Sequence, residues 1–200
     1  MKKICALLGI VLVLFSCDVM KDLGRQAGGV LQLTQCKYAY NSISGVSLAG
    51  INLHNITNLT NLNPMDLVKL TSAFAISGGS LPVGFTLNLD VTNPGVQTAL
   101  LSGLDYVMEI DGKQMTTGRI AQKVQIKGGQ KAVLPINMAF DLKQVLSGES
   151  LSSIKNVALS LAGISGHSSN VSLKLLPSFS VGNQIFKAPN YIPLSFQLKK

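Results

Sequence analysis

The sequence predicts an all-β fold in which two antiparallel sheets pack face to face as a sandwich, with one or two short accessory helices. Three observations predict it. From Val83 to Thr92 apolar and polar residues alternate without a slip. Asn93-Pro94-Gly95, Asp111-Gly112 and Gly128-Gly129 punctuate the chain at the spacing of turns between short strands. Strand and helix patterns do not alternate as a parallel sheet would demand, which favours two stacked antiparallel layers.

In chain order the first element is not part of that fold. Met1-Lys2-Lys3 and the uncharged run Ile4 to Phe15 have the basic start and apolar middle of a secretory signal. The run is well short of the roughly 20 residues that span a bilayer. Leu14-Phe15-Ser16-Cys17 resembles the bacterial lipobox, in which the cysteine thiol receives diacylglycerol and becomes the first residue of the mature chain. Several acyl chains, at roughly 0.8 kcal/mol per buried methylene, make such an anchor stable. This reading gives a signal at 1–16, lipidation at Cys17, a glycine-containing tether over 17–34 and a folded domain over 35–200. It places the protein in a bacterial cell envelope, on the outer-membrane or periplasmic side.

Composition narrows the class. With Cys5 lost in the signal and Cys17 acylated, Cys36 is the only thiol left, so neither an internal disulfide nor a cysteine metal cluster is available. Apolar residues make up 46% of the chain and charged ones 13%, so the chain can bury a core and is not a solvating, disordered one. Removing Lys2 and Lys3 from the 17 basic residues leaves 15 against 9 acidic ones, a net charge of about +6. An exported chain without tryptophan is a poor nucleic-acid binder; anionic lipid or lipopolysaccharide phosphate is the better partner for the excess charge, and plain solubility accounts for it with no partner at all.

Within the domain, Gln35 to Ile51 reads as strand, with Tyr38 and Tyr40 on one face. Asn63 as N-cap, Pro64 at the first position and Asp66 in the first turn announce a helix that the glycines at 78 and 79 end. Leu67, Leu70 and Phe74 recur along it at helical spacing. The next strand turns Val83, Phe85, Leu87, Leu89 and Val91 to one face, worth roughly 7 to 15 kcal/mol of burial before ordering entropy. Pro94 has no N–H to continue a ladder, Asn93 before it is held extended, and Gly95 is free to take positive φ, so the tripeptide reads as a corner.

Leu104, Tyr106, Met108 and Ile110 share the inner face of the following strand. Asp111-Gly112 is a two-residue hairpin turn, and Met115 to Ile120 return. Val124 to Ile126 and Lys131 to Phe140 add two strands. Leu142 to Lys155 reads as a second helix despite Gly148, and Asn156 to Ile164, Asn170 to Val181 and Ile192 to Leu198 read as strands. Immunoglobulin-like topology, without the disulfide, is the natural arrangement.

The segments Phe85 to Gly95, Leu100 to Ile120 and Val124 to Leu142 together resemble the late embryogenesis abundant type 2 family, or WHy domain. The matching residues are Asn93, Pro94, Leu104, Tyr106, Gly112, Lys113, Gly118 and Gly129, in that order, within a likeness running from about Ser47 to Phe196. The chain departs from the pattern in lacking a second Asn-Pro and in carrying a helix around Met65 to Ile76. The resemblance implies a fibronectin-like sandwich, an association with stress, and no catalytic residues.

Candidate chemistry is sparse. His54 and His167 have no partner at ligand spacing, so no metal site and no cofactor are expected. Ser165 to Asn170, with His167 between serines, lacks the strand-elbow-helix setting of a nucleophile and reads as a loop. Asp105 and Glu109 would stand roughly 13 Å apart along one strand, too far for paired carboxylate chemistry, and with Asp111 read as solvated charges. The sequons at Asn55, Asn58 and Asn170 carry no weight in a bacterial envelope. Lys113, Arg119, Lys123, Lys127 and Lys131 form a candidate contact for anionic surfaces, the bland reading being edge protection and solubility. The expected function is a non-catalytic membrane-anchored lipoprotein that binds or protects envelope components, with protein or anionic lipid as candidate partners and no nucleic acid. The alternative is a carrier or sensor of an apolar molecule, its inserted helix covering a cleft between the sheets.

Overall fold

The computed structural model describes residues 33–53, 56, 58–76, 79–164, 166–181 and 184–198. The signal segment, Cys17, most of the tether, His54, Asn55, Gly78 and Ser165 lie outside the described residues. The first strand, β1 (Lys37–Leu48), pairs with β2 (Ile51–Asn52) and with β3 (Pro82–Thr92). On its other side β3 pairs with β8 (Lys131–Asp141), giving an antiparallel sheet in the order β2-β1-β3-β8.

The facing sheet is built on β5 (Gly103–Ile110), which pairs with β6 (Lys113–Ile120) and β9 (Ser169–Val181). Two strands, β10 (Gln184–Lys187) and β11 (Ile192–Leu198), take successive stretches of the far edge of β9. A two-stranded ladder of β4 (Ala99–Leu101) with β7 (Val124–Ile126) closes one end.

Alternation drives this arrangement. Along β3 every second residue is buried, Val83 through Val91, and Leu87 and Leu89 are at 0% exposure. From the opposite sheet Leu104, Met108, Ile110 and Leu173 meet them, also essentially dry. A shift of one residue would turn that whole set outward, so the register is fixed by the core itself. β6 approaches β8 and β1 approaches β11, so the layers touch along both flanks. On the second flank the Tyr40 and Phe196 rings stack 4.2 Å apart.

Helix α1 (Pro64–Ala75) starts as its sequence dictates: the Asn63 side chain accepts from the Asp66 N–H at 2.8 Å and Pro64 takes the first turn. It buries Leu70 and Phe74 and stops at Ile76. The predicted second helix is two. Asp141 caps α2 (Leu142–Val145), Gly148 takes a φ of 87°, and Ser150 then caps α3 (Leu151–Leu161).

Helix α3 overturns the strand expected at Asn156 to Ile164. Its buried residues include Ile154, Val157, Ala158 and Leu161, an i, i+3, i+4, i+7 set that one helical face satisfies. The alternation of Val157, Leu159 and Leu161 suits a strand as well, but the upstream cap decides the geometry. Strands β2, β4 and β10 were not separately expected.

Candidate functional site

The residues of the family resemblance gather at the turns and the core of the sandwich. Asn93 is fully buried at the end of β3. Its side-chain N–H groups donate to the carbonyls of Gln97 (2.7 Å) and Ile126 (2.8 Å), and its side-chain oxygen accepts from the Gly95 N–H (3.0 Å). Its backbone exchanges bonds with the Gly128-Gly129 turn, donating to Gln130 O and accepting from Gly129 N. One amide thus ties the end of β3, the loop to β4, and β7 into one corner. A Cβ on Gly128 would strike the backbone of Gly95 and Val96, so this turn tolerates no side chain there. Gly95 itself does not take positive φ, contrary to expectation: the Asn93 side chain shapes the bend, and the left-handed residue is Gly129, at 71°.

Tyr106 pairs across the strands with Gly118, and its ring lies where a Cβ of Gly118 would be. Burial raises the Tyr106 hydroxyl above its ordinary pKa. Asp111 and Gly112 both take positive φ, 50° and 78°, in the tight turn between β5 and β6. Leu104 is core and Pro94 is exposed. These positions build the fold.

The five basic residues separate. Lys113 contacts Glu149, Arg119 Nη1 lies 3.2 Å from Asp105, and Lys131 Nζ lies 3.0 Å from Asp90. Only Lys123 and Lys127, flanking β7, are exposed with no ion pair among the described residues. The carboxylates read as solvated are paired: Asp105 also meets Lys187 (2.5 Å), Glu109 meets Lys174 (2.5 Å), and Asp111 accepts from the Asn170 N–H at 2.8 Å. The fold brings these partners together from 14 to 82 residues away, which no local pattern reveals.

Other reactive groups are occupied. The bond with Lys131, reinforced by one from Asn41, holds the Asp90 carboxyl below its usual range. Burial opposes ionisation of Asp141, but hydrogen bonds from Ser80, Leu81, Gln144 and Lys143 outweigh it and lower its pKa. Burial pushes the Cys36 thiol up to about 11, leaving it protonated and poorly nucleophilic at neutral pH. His167 Nδ1 lies 3.1 Å from Asn156 Oδ1, on an amide whose N–H donates to Ser168 O. Among the described residues no group of three His, Cys, Asp or Glu is placed for a metal ion, and no helix is long and apolar enough to cross a membrane.

Concave surface lies at the helices instead. A shallow depression of about 580 Å³ beside α2 is lined by Ser80, Asp141, Lys143 and Glu149, groups already engaged with one another's elements. A second, apolar crevice of about 210 Å³ runs between α1 and α3. Its walls come from both helices, so α1 flanks a groove against α3 and does not roof the space between the sheets. The sequence alone does not show this crevice, because it places Leu151 and Lys155 on a helix but Leu159, in the stretch from Asn156, on a strand.

No family model matches the chain, and no curated protein matches it. Among solved structures it is similar to a protein from Archaeoglobus fulgidus, at 11% identity over 81% of this chain and 98% of that one, with a TM-score of 0.38. It is also similar to a candidate late embryogenesis abundant protein, at 13% over 92% and 81% with a TM-score of 0.39, and to a protein from Arabidopsis thaliana, at 16% over 57% and 67% with a TM-score of 0.37. At these values the likenesses carry no functional information about this chain.

Proposed function

We propose that the protein is a non-catalytic lipoprotein of the bacterial cell envelope. In this reading a late embryogenesis abundant type 2-like sandwich, tethered through acylated Cys17, binds or protects envelope components under stress. The observation that carries the proposal is the segment Lys2 to Cys17, a basic start, an apolar run too short to span, and a cysteine three residues after Leu14. The chain from Cys17 to Leu33, the first described core residue, can reach at most about 50 to 60 Å, so the sandwich works close to the surface that holds it. Carboxylates held in ion pairs and a protonated, buried Cys36 support a role in binding over chemistry. Where the surface is anionic, Lys123 and Lys127 are the free cations of the five singled out.

Metabolic labelling with an alkyne fatty acid, followed by fractionation, tests this. Label and membrane recovery are expected for the natural chain, with both lost in Cys17→Ser. An unlabelled natural chain recovered wholly in the soluble fraction would overturn the proposal.

A further inference from the structure

Helix α1 carries apolar side chains on two sides. Leu70 and Phe74 are buried, yet Met65 (70% exposed) and Val68 (63%) face away from the core, and Leu67 (37%) stands between the two. Between these apolar residues the helix carries Asp66, Lys69, Thr71 and Ser72, so its exposed apolar side is a patch beside the groove. Beside it, α3 presents Leu151 and Leu159, and with Leu59 and Thr71 these residues line the 210 Å³ crevice. About 150 Å³ is enough for a benzene molecule, whereas a drug-sized ligand needs at least about 300 Å³. The space therefore suits a stretch of hydrocarbon chain and not a bulky ring system or a two-chain lipid.

Among the described residues that line the crevice one is charged, and its charge is positive. Lys155 Nζ sits 5.6 Å from the centroid of the Phe74 ring, at the edge of the apolar wall. It has no ion pair among the described residues, and no carboxylate lines the crevice. Five other lysines differ in this respect: Lys69, Lys113, Lys131, Lys174 and Lys187 each have an acidic partner. A cation resting over an aromatic ring gains little at an exposed site and can be drawn off by a full negative charge.

We propose that the α1–α3 crevice binds a single-chain carboxylate, its hydrocarbon chain lying along Leu67, Leu70, Phe74, Leu151 and Leu159 and its head group paired with Lys155. The charge complementarity selects this occupant. An alcohol of the same chain length gains only the apolar part, and a cationic amphiphile meets repulsion. Binding covers Leu67 and Leu151 without moving the sandwich.

The test uses the full chain carrying Cys17→Ser, stripped by organic extraction, and calorimetric titration with decanoate, decanol and decyltrimethylammonium. One decanoate is expected to bind per chain, at least tenfold more tightly than decanol, with no detectable binding of the ammonium. Lys155→Gln is expected to bring decanoate down to the level of decanol while leaving decanol unchanged. Leu67→Trp, at a half-exposed position that leaves the core intact, is expected to fill the crevice and abolish both. Equal binding of decanoate and decanol, decanoate binding indifferent to Lys155→Gln and Leu67→Trp, or no binding by a chain with native circular dichroism would each overturn the proposal. Binding to phosphatidylglycerol vesicles in place of decanoate would overturn it too, assigning the face to a bilayer. None of these results depends on whether Cys17 is acylated, so the anchoring reading stands or falls separately.

Discussion

The sandwich and its helical flank spend their apolar residues differently. In β3 and β5 a period of two sends the large apolar side chains inward, Val107 excepted, and the outer face is left to Thr86, Asn88, Asp90, Asp105, Val107 and Glu109. In α1 the period of 3.6 buries Leu70 and Phe74 but leaves Met65 and Val68 in water, where Ile76, just past its end, also lies. The first region is optimised for stability, and the second retains surface that the fold does not use. Surplus apolar area beside a groove is where binding is expected, while a saturated core is where mutations are costly.

The sharpest way to break this comparison is to remove equal volumes from both regions. Leu87→Ala, in the middle of the dry core, is expected to cost about 2 to 5 kcal/mol in denaturant unfolding. Leu67→Ala should cost well under half as much. Equal losses would mean that the flank is core after all.

Next in size is the corner. Asn93→Ala leaves two carbonyls and one N–H at the end of β3 without their partner, and is expected to cost roughly 2 to 4 kcal/mol. The cap of α1 offers the comparison, since Asn63→Ala should cost only about 1 kcal/mol. Gly118→Ala follows, at about 1 to 3 kcal/mol, because the Tyr106 ring must give way. Its readout is a change in near-ultraviolet circular dichroism along with the lower midpoint.

Acid separates the regions more gently. The native pKa values of Asp90 and Asp141 are depressed, so the stability they contribute is fully present above the ordinary aspartate value of about 3.9 and is lost as pH falls through the native values. Thermal midpoints measured from pH 6 to pH 2 should fall in that window, and Asp141→Asn should flatten part of the slope. The smallest effect is expected for Val68→Ser, within about 0.5 kcal/mol, since nothing packs on it.

The same comparison explains what could be read from the chain alone. Strand β3, the Asp111-Gly112 turn and the start of α1 are set by residues within a few positions of one another, and each follows its local signal. Helix α3 was misread because Val157, Leu159 and Leu161 alternate as a strand would, while the helical set Ile154, Val157, Ala158 and Leu161 is equally present. The Ser150 cap and the tertiary surface of β9 and β1 chose between them. The crevice was invisible for the same reason. The ion pairs of Asp105 and Glu109 depend on which strands become neighbours, and no spacing in the sequence encodes that choice.

The stacking of Tyr40 on Phe196 brings the opening and closing strands of the domain to one flank. Entry and exit of the folded unit are therefore neighbours, and joining them through a short flexible linker while cutting at the exposed Asp111-Gly112 turn should give a circularly permuted chain that still folds. A reporter joined after Leu198 would, by the same stacking, sit on the flank where β1 begins.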